Sequence, residues 1–382
     1  MIYLKKVLFL QIKGNSLGGV WFVNKSLGEE FLKRGYHAEV LAIRNNHPGI
    51  EIKDTPLKIN VINKKNLWEI VHRRDVLKAG FKNFSKTLKQ YFEDKKKLDA
   101  DYLKMKEFIK EYNPDYIIAS HYQTLFGVPD EYLSKVIFVQ HSSFKYLISD
   151  KFAVKVLKKY NNKIFKMCWL CKSTMDQAKR FGFKKNTFIY NPNKFVTDKQ
   201  SDVIRNKKIV VITRIHPEKR IDLMISMVND VFMNSKFRDW KFEIYGTGNF
   251  NEESNRILKE SKQIEFKGLT DNPKEILLKS SLTLNTSVYE GFSLSIIEGY
   301  TCGLPVISFN FGEAAYEEIK DGKTGFVIEQ GNIENFKLKL IKILSSPKLL
   351  KEMSDNAKEF SKQFEIFKVA DKWEKLFNQM EE

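Results

Sequence analysis

Cysteine is scarce in this sequence: Cys168, Cys171 and Cys302 are the three in 382 residues, too few for a disulfide framework and suited to a reducing compartment. No stretch approaches the roughly 18 uninterrupted apolar residues that a membrane-spanning helix needs, so any membrane contact is expected to be peripheral. The first apolar run, Val7 to Ile12, is broken by Gln11 and closed by Lys13, too short for a signal-peptide core and right for a buried strand. These absences point to the cytoplasm. Acidic residues are also in deficit: 47 Asp and Glu face 65 Lys and Arg, a formal charge of +18. Such an excess calls for an acidic partner, whether nucleic acid, an anionic membrane surface or a phosphorylated substrate. Internal repeats and low-complexity tracts are lacking. The six histidines (His37, His47, His72, His121, His141 and His216) include no i, i+4 pair suited to zinc.

What is present is a large apolar inventory, 42% of the chain with 30 Phe and 15 Tyr, which excludes general disorder. At roughly 150 residues per domain, the length suggests two. A strand from Val7, the glycine-containing turn Gly14 to Gly19, a helix-like run to Arg34 and a strand from His37 to Ile43 form the repeating unit of a parallel α/β sheet. The rhythm resumes at Pro114–His121 and Lys135–His141, apolar strands that end in polar residues, and again from Ile164 to Leu170. Between them, Lys64 to Lys110 holds fourteen Lys and Arg against seven Asp and Glu. Its apolar residues recur at helical intervals, so one or two amphipathic helices with a basic wet face are expected. A polar run from Thr197 to Asn206 reads as a hinge. From Lys208 onward, strands and helices alternate again with short connections. The fold class is therefore α/β, with two successive doubly wound domains.

The chemistry concentrates in the second half. In Thr286–Ser308, Glu290 lies in a loop after a strand, Gly291 permits close backbone approach, and the region of Phe292, Ser293 and Leu294 opens a helix whose free N–H groups are expected to form an anion site. Glu298 follows about 7 Å further along the helix axis, at 1.5 Å per residue. A diphosphate on that helix end meets one carboxylate on each flank, which is the layout of a nucleotide sugar. Arg214 and Lys219 stand five residues apart in the loop after the first strand of the same half. Strand carboxyl ends share one sheet edge, so both cations can face the same crevice and neutralise a diphosphate leaving group.

With Glu290 and Glu298 in a Glu-x7-Glu motif, Arg214 and Lys219 as an Arg…Lys pair, the Gly18-Gly19 loop, and Pro114-Asp115 followed by His121, the chain resembles the family 4 glycosyltransferases. These are retaining enzymes of the GT-B fold that use nucleotide sugars without a metal. The resemblance implies a crevice between two Rossmann-like domains, residues 1–200 for the acceptor and 201–364 for the donor, with 365–382 returning to the first domain. It implies that Glu290 contacts the donor sugar, Glu298 the ribose, Arg214 and Lys219 the diphosphate, and His121 the reacting sugar. The catalytic set is then His121, Glu290, Arg214 and Lys219. The donor set is Gly18, Gly19, Arg214, Lys219, Glu290, Gly291, Phe292, Ser293, Leu294 and Glu298. No metal or other cofactor is expected. Thr213 and Arg220 stand where the family has glycine. The expected donor is UDP-linked, and the acceptor is a glycan, a cell-wall polymer or a lipid-linked sugar in cell-surface polysaccharide or glycoconjugate synthesis. The +7 tract at 64–110, with Lys82, Lys86 and Lys89, is matched to an anionic membrane.

Two other functions use the same features. A sugar-nucleotide epimerase shares the scaffold and is separated by product analysis. A nucleic-acid binder accounts for the charge, but no basic segment is interleaved with aromatics in a recognised module, so nucleic acid is not an expected partner. Cys168 and Cys171 have redox spacing yet are read as structural, in an apolar strand away from any helix N-terminus. Asp99 and Asp101 resemble a metal-binding pair but are read as part of a solvated helix face. His141 has the same strand-end placement as His121.

Overall fold

The computed structural model of the chain describes residues 4–14, 18–44, 55–63, 84–195 and 206–382. The expected hinge at 197–206 and residues 64–83 of the basic tract, with Lys82, fall almost wholly outside them. The first sheet has seven parallel strands: β1 (Lys6–Lys13), β2 (His37–Arg44), β3 (Lys58–Asn63), β4 (Tyr116–Ala119), β5 (Val136–Gln140), β6 (Lys166–Trp169) and β7 (Asn186–Phe188), in the order β3-β2-β1-β4-β5-β6-β7. The second has six, β8 (Lys208–Ile212), β9 (Lys241–Tyr245), β10 (Ile264–Gly268), β11 (Leu282–Asn285), β12 (Val306–Phe309) and β13 (Gly325–Ile328), in the order β10-β9-β8-β11-β12-β13. All pairings are parallel. Each strand order reverses beside the first strand of its own sheet, and an open sheet of this kind leaves its ligand crevice at the carboxyl ends of those central strands.

Helices on both faces explain the unbroken apolar runs. In β1, Val7 and Phe9 face a core with Phe31 and Phe377, while Leu8 and Leu10 face another with Met105 and Ile109. Met105 and Ile109 belong to the helix Phe84–Tyr112, the described part of the basic tract. Asp99 and Asp101 lie on that helix, and Asp101 departs from the expected solvated face: it is buried and accepts from Asn63 Nδ2 at 3.2 Å. The last helix, Ile366–Glu381, packs on the first domain. Phe377 stacks on Tyr116 with ring centroids 4.0 Å apart, and Arg34 binds Asp371 at 2.7 Å and Glu374 at 2.5 Å. One apolar cluster thus runs from Val7 and Phe9 through Phe292 and Phe364 to Tyr300, which joins the two domains into a shared core.

Candidate active site in the interdomain crevice

The loops after β8 and β11 are stitched together by hydrogen bonds to backbone carbonyls. Thr286 Oγ1 donates to the Lys219 carbonyl at 2.6 Å, and Val288 N–H donates to the Glu218 carbonyl at 2.9 Å. Arg220, at the position after Lys219, takes a left-handed φ of 51° ahead of the helix Ile221–Phe232. That conformation explains why glycine suits the position. The stitching brings Lys219 Nζ to 2.5 Å from Glu290 Oε1, which also accepts from Ser287 Oγ at 2.8 Å. Arg214 reaches Glu218 at 3.4 Å and is largely exposed, and Tyr289 OH donates to the same carboxylate at 3.2 Å.

Glu298 sits in the helix Leu294–Thr301 and pairs with Lys194, 3.0 Å away. Burial lifts its carboxyl above the usual range, and Lys194 pulls it back. The helix start differs from the expected open anion site. Ser293 N–H is already taken, donating to Glu318 Oε1 at 2.8 Å, whereas Glu318 Oε2 is enclosed without a partner. Burial raises the Glu318 carboxyl far above its ordinary range. Glu290 and Glu317 push the same way, and the Ser293 bond only partly opposes them. The first helical amides, of Leu294 and Ser295, are the donors left for an anion.

Across the crevice, a Cβ at Gly291 would lie 2.0 Å from the His141 carbonyl, so the two domains touch backbone to backbone where a side chain has no room. Gly19 is similarly close to Leu294: a Cβ there would lie 3.1 Å from Leu294 Cδ1, which sets the Gly18-Gly19 turn beside the helix start. That turn follows a neutral network in which Asn24 Nδ2 donates to Gln11 Oε1 at 2.9 Å and to Ser120 Oγ at 3.2 Å. His121 follows Ser120. Its Nδ1 accepts from Gln123 N–H at 3.2 Å, and burial pushes the imidazole down to about 4, with Asp150 opposing. The ring is therefore neutral at pH 7 and carries its proton on Nε2, as a donor. His141 is likewise pushed to about 4 by burial, and its Nε2 has no partner.

Further side chains cross the crevice. Tyr146 stacks on Tyr289 with centroids 5.4 Å apart, and Glu317 accepts from Lys172 N–H, Ser173 N–H and Tyr190 OH at 2.8 to 2.9 Å. This last contact corrects the reading of the cysteine pair. Cys171 is the N-cap residue of the helix Lys172–Arg180, so a helix N-terminus is present. Glu317 occupies its first amides, and burial raises both thiols, Cys168 to about 12. Both remain free and buried. Among the described residues, no group of three His, Cys, Asp or Glu could hold a metal ion, and no helix is long and apolar enough to cross a membrane.

Arg214, Lys219, Glu290, Gly291, Phe292, Ser293, Leu294 and Glu298 thus gather at one crevice edge, with His121, Gly18 and Gly19 on the opposing domain. Lys194, Glu317, Glu318, Tyr146 and Tyr289 were not singled out by sequence. For Lys194, the available signal was a cation closing the Asn191-Pro-Asn193 run.

The family model described as "Glycosyl transferases group 1" matches residues 195–360, the stretch with both cations and both glutamates. The fold is GT-B. It aligns with a Staphylococcus aureus TarM variant in complex with fondaparinux, alpha-GlcNAc-glycerol and UDP, at a TM-score of 0.76 and 17% identity, over 98% of this chain and 100% of that one. An uncharacterized glycosyltransferase of Haemophilus influenzae is 25% identical over 97% of this chain and 99% of its own length. A poly(glycerol-phosphate) alpha-glucosyltransferase of Bacillus subtilis is 26% identical over 66% of this chain. The match spans 38% of that relative's length.

Proposed function

We propose that the protein is a retaining, metal-independent family 4 glycosyltransferase that moves a sugar from a UDP-linked donor to a glycan, cell-wall polymer or lipid-linked acceptor. The observation that carries the reading is Glu290 held against Lys219 at 2.5 Å on stitched switch-point loops, eight residues before Glu298. Lys219 and Arg214 supply positive charge where the departing diphosphate gains negative charge. Glu290 accepts from hydroxyls of the donor sugar, and Glu298 from the ribose. His121, neutral with hydrogen on Nε2, donates to the reacting sugar and does not act as a base. In a front-face displacement the acceptor oxygen bonds to C1 as the C1–phosphate bond breaks, and the acceptor's proton passes to the departing phosphate.

The name of the Bacillus relative supports an anionic polymer acceptor, and a chain of formal charge +18 suits one. The same charge, through the basic tract, suits peripheral attachment to the inner face of an anionic membrane. The test is a panel of nucleotide sugars scored for hydrolysis, transfer and thermal stabilisation. Glu290→Ala and Lys219→Ala are each expected to reduce transfer at least about 1,000-fold with far-ultraviolet dichroism unchanged. An active double variant overturns the assignment.

A further inference from the structure

Glu298 is not presented to the crevice by its own helix alone. Lys194 comes from the segment that leaves the first domain, and its neighbour Asn193 is pinned on three sides. Asn193 N–H donates to the Phe364 carbonyl at 2.7 Å, its Nδ2 donates to the Ile297 carbonyl at 2.7 Å, and its Oδ1 accepts from Phe195 N–H at 2.9 Å. The Lys194 ammonium projects from this fixed point to 3.0 Å from Glu298 Oε1, lying 5.1 Å from the Phe22 ring centroid and 4.9 Å from that of Phe195. Phe22 is on the helix Gly19–Lys33, directly after the Gly18-Gly19 turn. One cation therefore ties the first domain's glycine turn, the interdomain segment and the donor-side carboxylate together.

We propose that Lys194 is a positioning residue of the nucleotide site, supplying the counter-charge that keeps the half-buried Glu298 carboxylate available as a double acceptor for vicinal ribose hydroxyls. The inference rests on the nucleotide-sugar reading above. A carboxylate accepts two hydroxyl hydrogen bonds, whereas a protonated carboxyl offers a donor in place of one acceptor. Burial drives Glu298 toward the protonated form, and among the described residues the charged group that faces it is Lys194. Methionine at 194 would retain the contact with the two rings and remove the charge.

The full-length chain is titrated with UDP and with 2′-deoxy-UDP at pH 6 and pH 8. Lys194→Met is expected to weaken UDP binding about tenfold at pH 6 and by a smaller factor at pH 8. It should also narrow the preference for UDP over 2′-deoxy-UDP, and Lys194→Arg should restore both. In a Glu298→Gln background, Lys194→Met should add no pH-dependent loss. Unchanged UDP affinity overturns the proposal. So does a loss equal at both pH values with the UDP to 2′-deoxy-UDP ratio unchanged, because Lys194 would then be a diphosphate cation independent of Glu298. Wild-type protein that binds no UDP overturns the nucleotide reading itself, a result distinct from either.

Discussion

The two edges of the crevice are built from different materials. On the C-terminal side the carboxylates at the crevice are ion-paired, Glu290 with Lys219, Glu218 with Arg214, and Glu298 with Lys194 from the interdomain segment. On the N-terminal side the groups at the strand ends are neutral, Gln11, Asn24 and Ser120 in one network and two imidazoles held uncharged by burial, with Asp150 the charge that acts on His121. A charged edge is suited to a ligand that brings its own charge, since Arg and Lys can exchange a carboxylate for phosphate oxygens at little net cost. A neutral edge is suited to hydroxyl groups, which need oriented donors and acceptors and would leave a buried charge uncompensated. On the function proposed above, the charged edge takes the donor's diphosphate and, through Glu290 and Glu298, its hydroxyls, while the neutral edge offers uncharged donors and acceptors to the reacting sugar.

Among the effects that test this contrast, the largest comes from separating the edges. Gly291→Ala places a methyl group against the His141 carbonyl and must push the domains apart. Misplacement of about 1 Å costs roughly 100-fold in rate, so kcat/KM for transfer should fall by about that factor. On the proposed reading the nucleotide is held chiefly by Lys219, Glu290 and Glu298, so UDP affinity should fall by a smaller factor than transfer does. Wild-type transfer by this variant would show that the observed apposition of the two edges is not needed for the reaction.

A smaller effect probes the exception on the charged side. Glu318 lies under the Glu290 loop, and its carboxyl is raised by burial, so the native state holds a proton that the unfolded chain releases above its ordinary range. Stability from this group is complete at acidic pH and is lost as pH rises. Glu318→Gln keeps an acceptor for Ser293 N–H and abolishes the linkage. Its Tm relative to wild type should rise by about 3 °C between pH 5 and pH 8. A difference that does not change with pH would mean that Glu318 is ionised in the fold, and that the C-terminal edge is ionic throughout.

The same contrast governs what could be read from the sequence. Arg214, Lys219, Glu290 and Glu298 lie within single strand-loop-helix units, so their spacing alone carries them to one sheet edge. Both doubly wound sheets were legible for a related reason, since buried parallel strands are nearly unbroken apolar runs. Lys194 meets Glu298 across more than one hundred residues, Asn24 meets Ser120 across 96, and Glu318 meets Ser293 across 25. Such contacts depend on how finished elements pack, and no local pattern encodes them. The apolar run from Ile164 to Leu170 concealed the fact that β6 ends at Trp169, leaving Cys171 to cap the next helix. Asp101 was misplaced because a Lys-rich helix looks wet on every turn, although this turn faces Asn63.

The smallest expected effect tests the neutral edge. His121 and His141 are lowered from an ordinary value of 6.5 to about 4, so between those values the unfolded chain binds protons that the folded chain refuses. Stability is then complete above pH 6.5 and is lost as pH falls toward 4, opposite in sign to the Glu318 linkage. Replacing both histidines with asparagine removes two of the protons taken up on unfolding. Urea unfolding of this variant at pH 7 and pH 5 should show a shallower acid loss than wild type, with the difference concentrated below pH 6.5. A wild-type slope in the variant would mean that the imidazoles are protonated in the fold. The N-terminal edge would then carry charge too, and the division of the crevice into a charged and a neutral side would not hold.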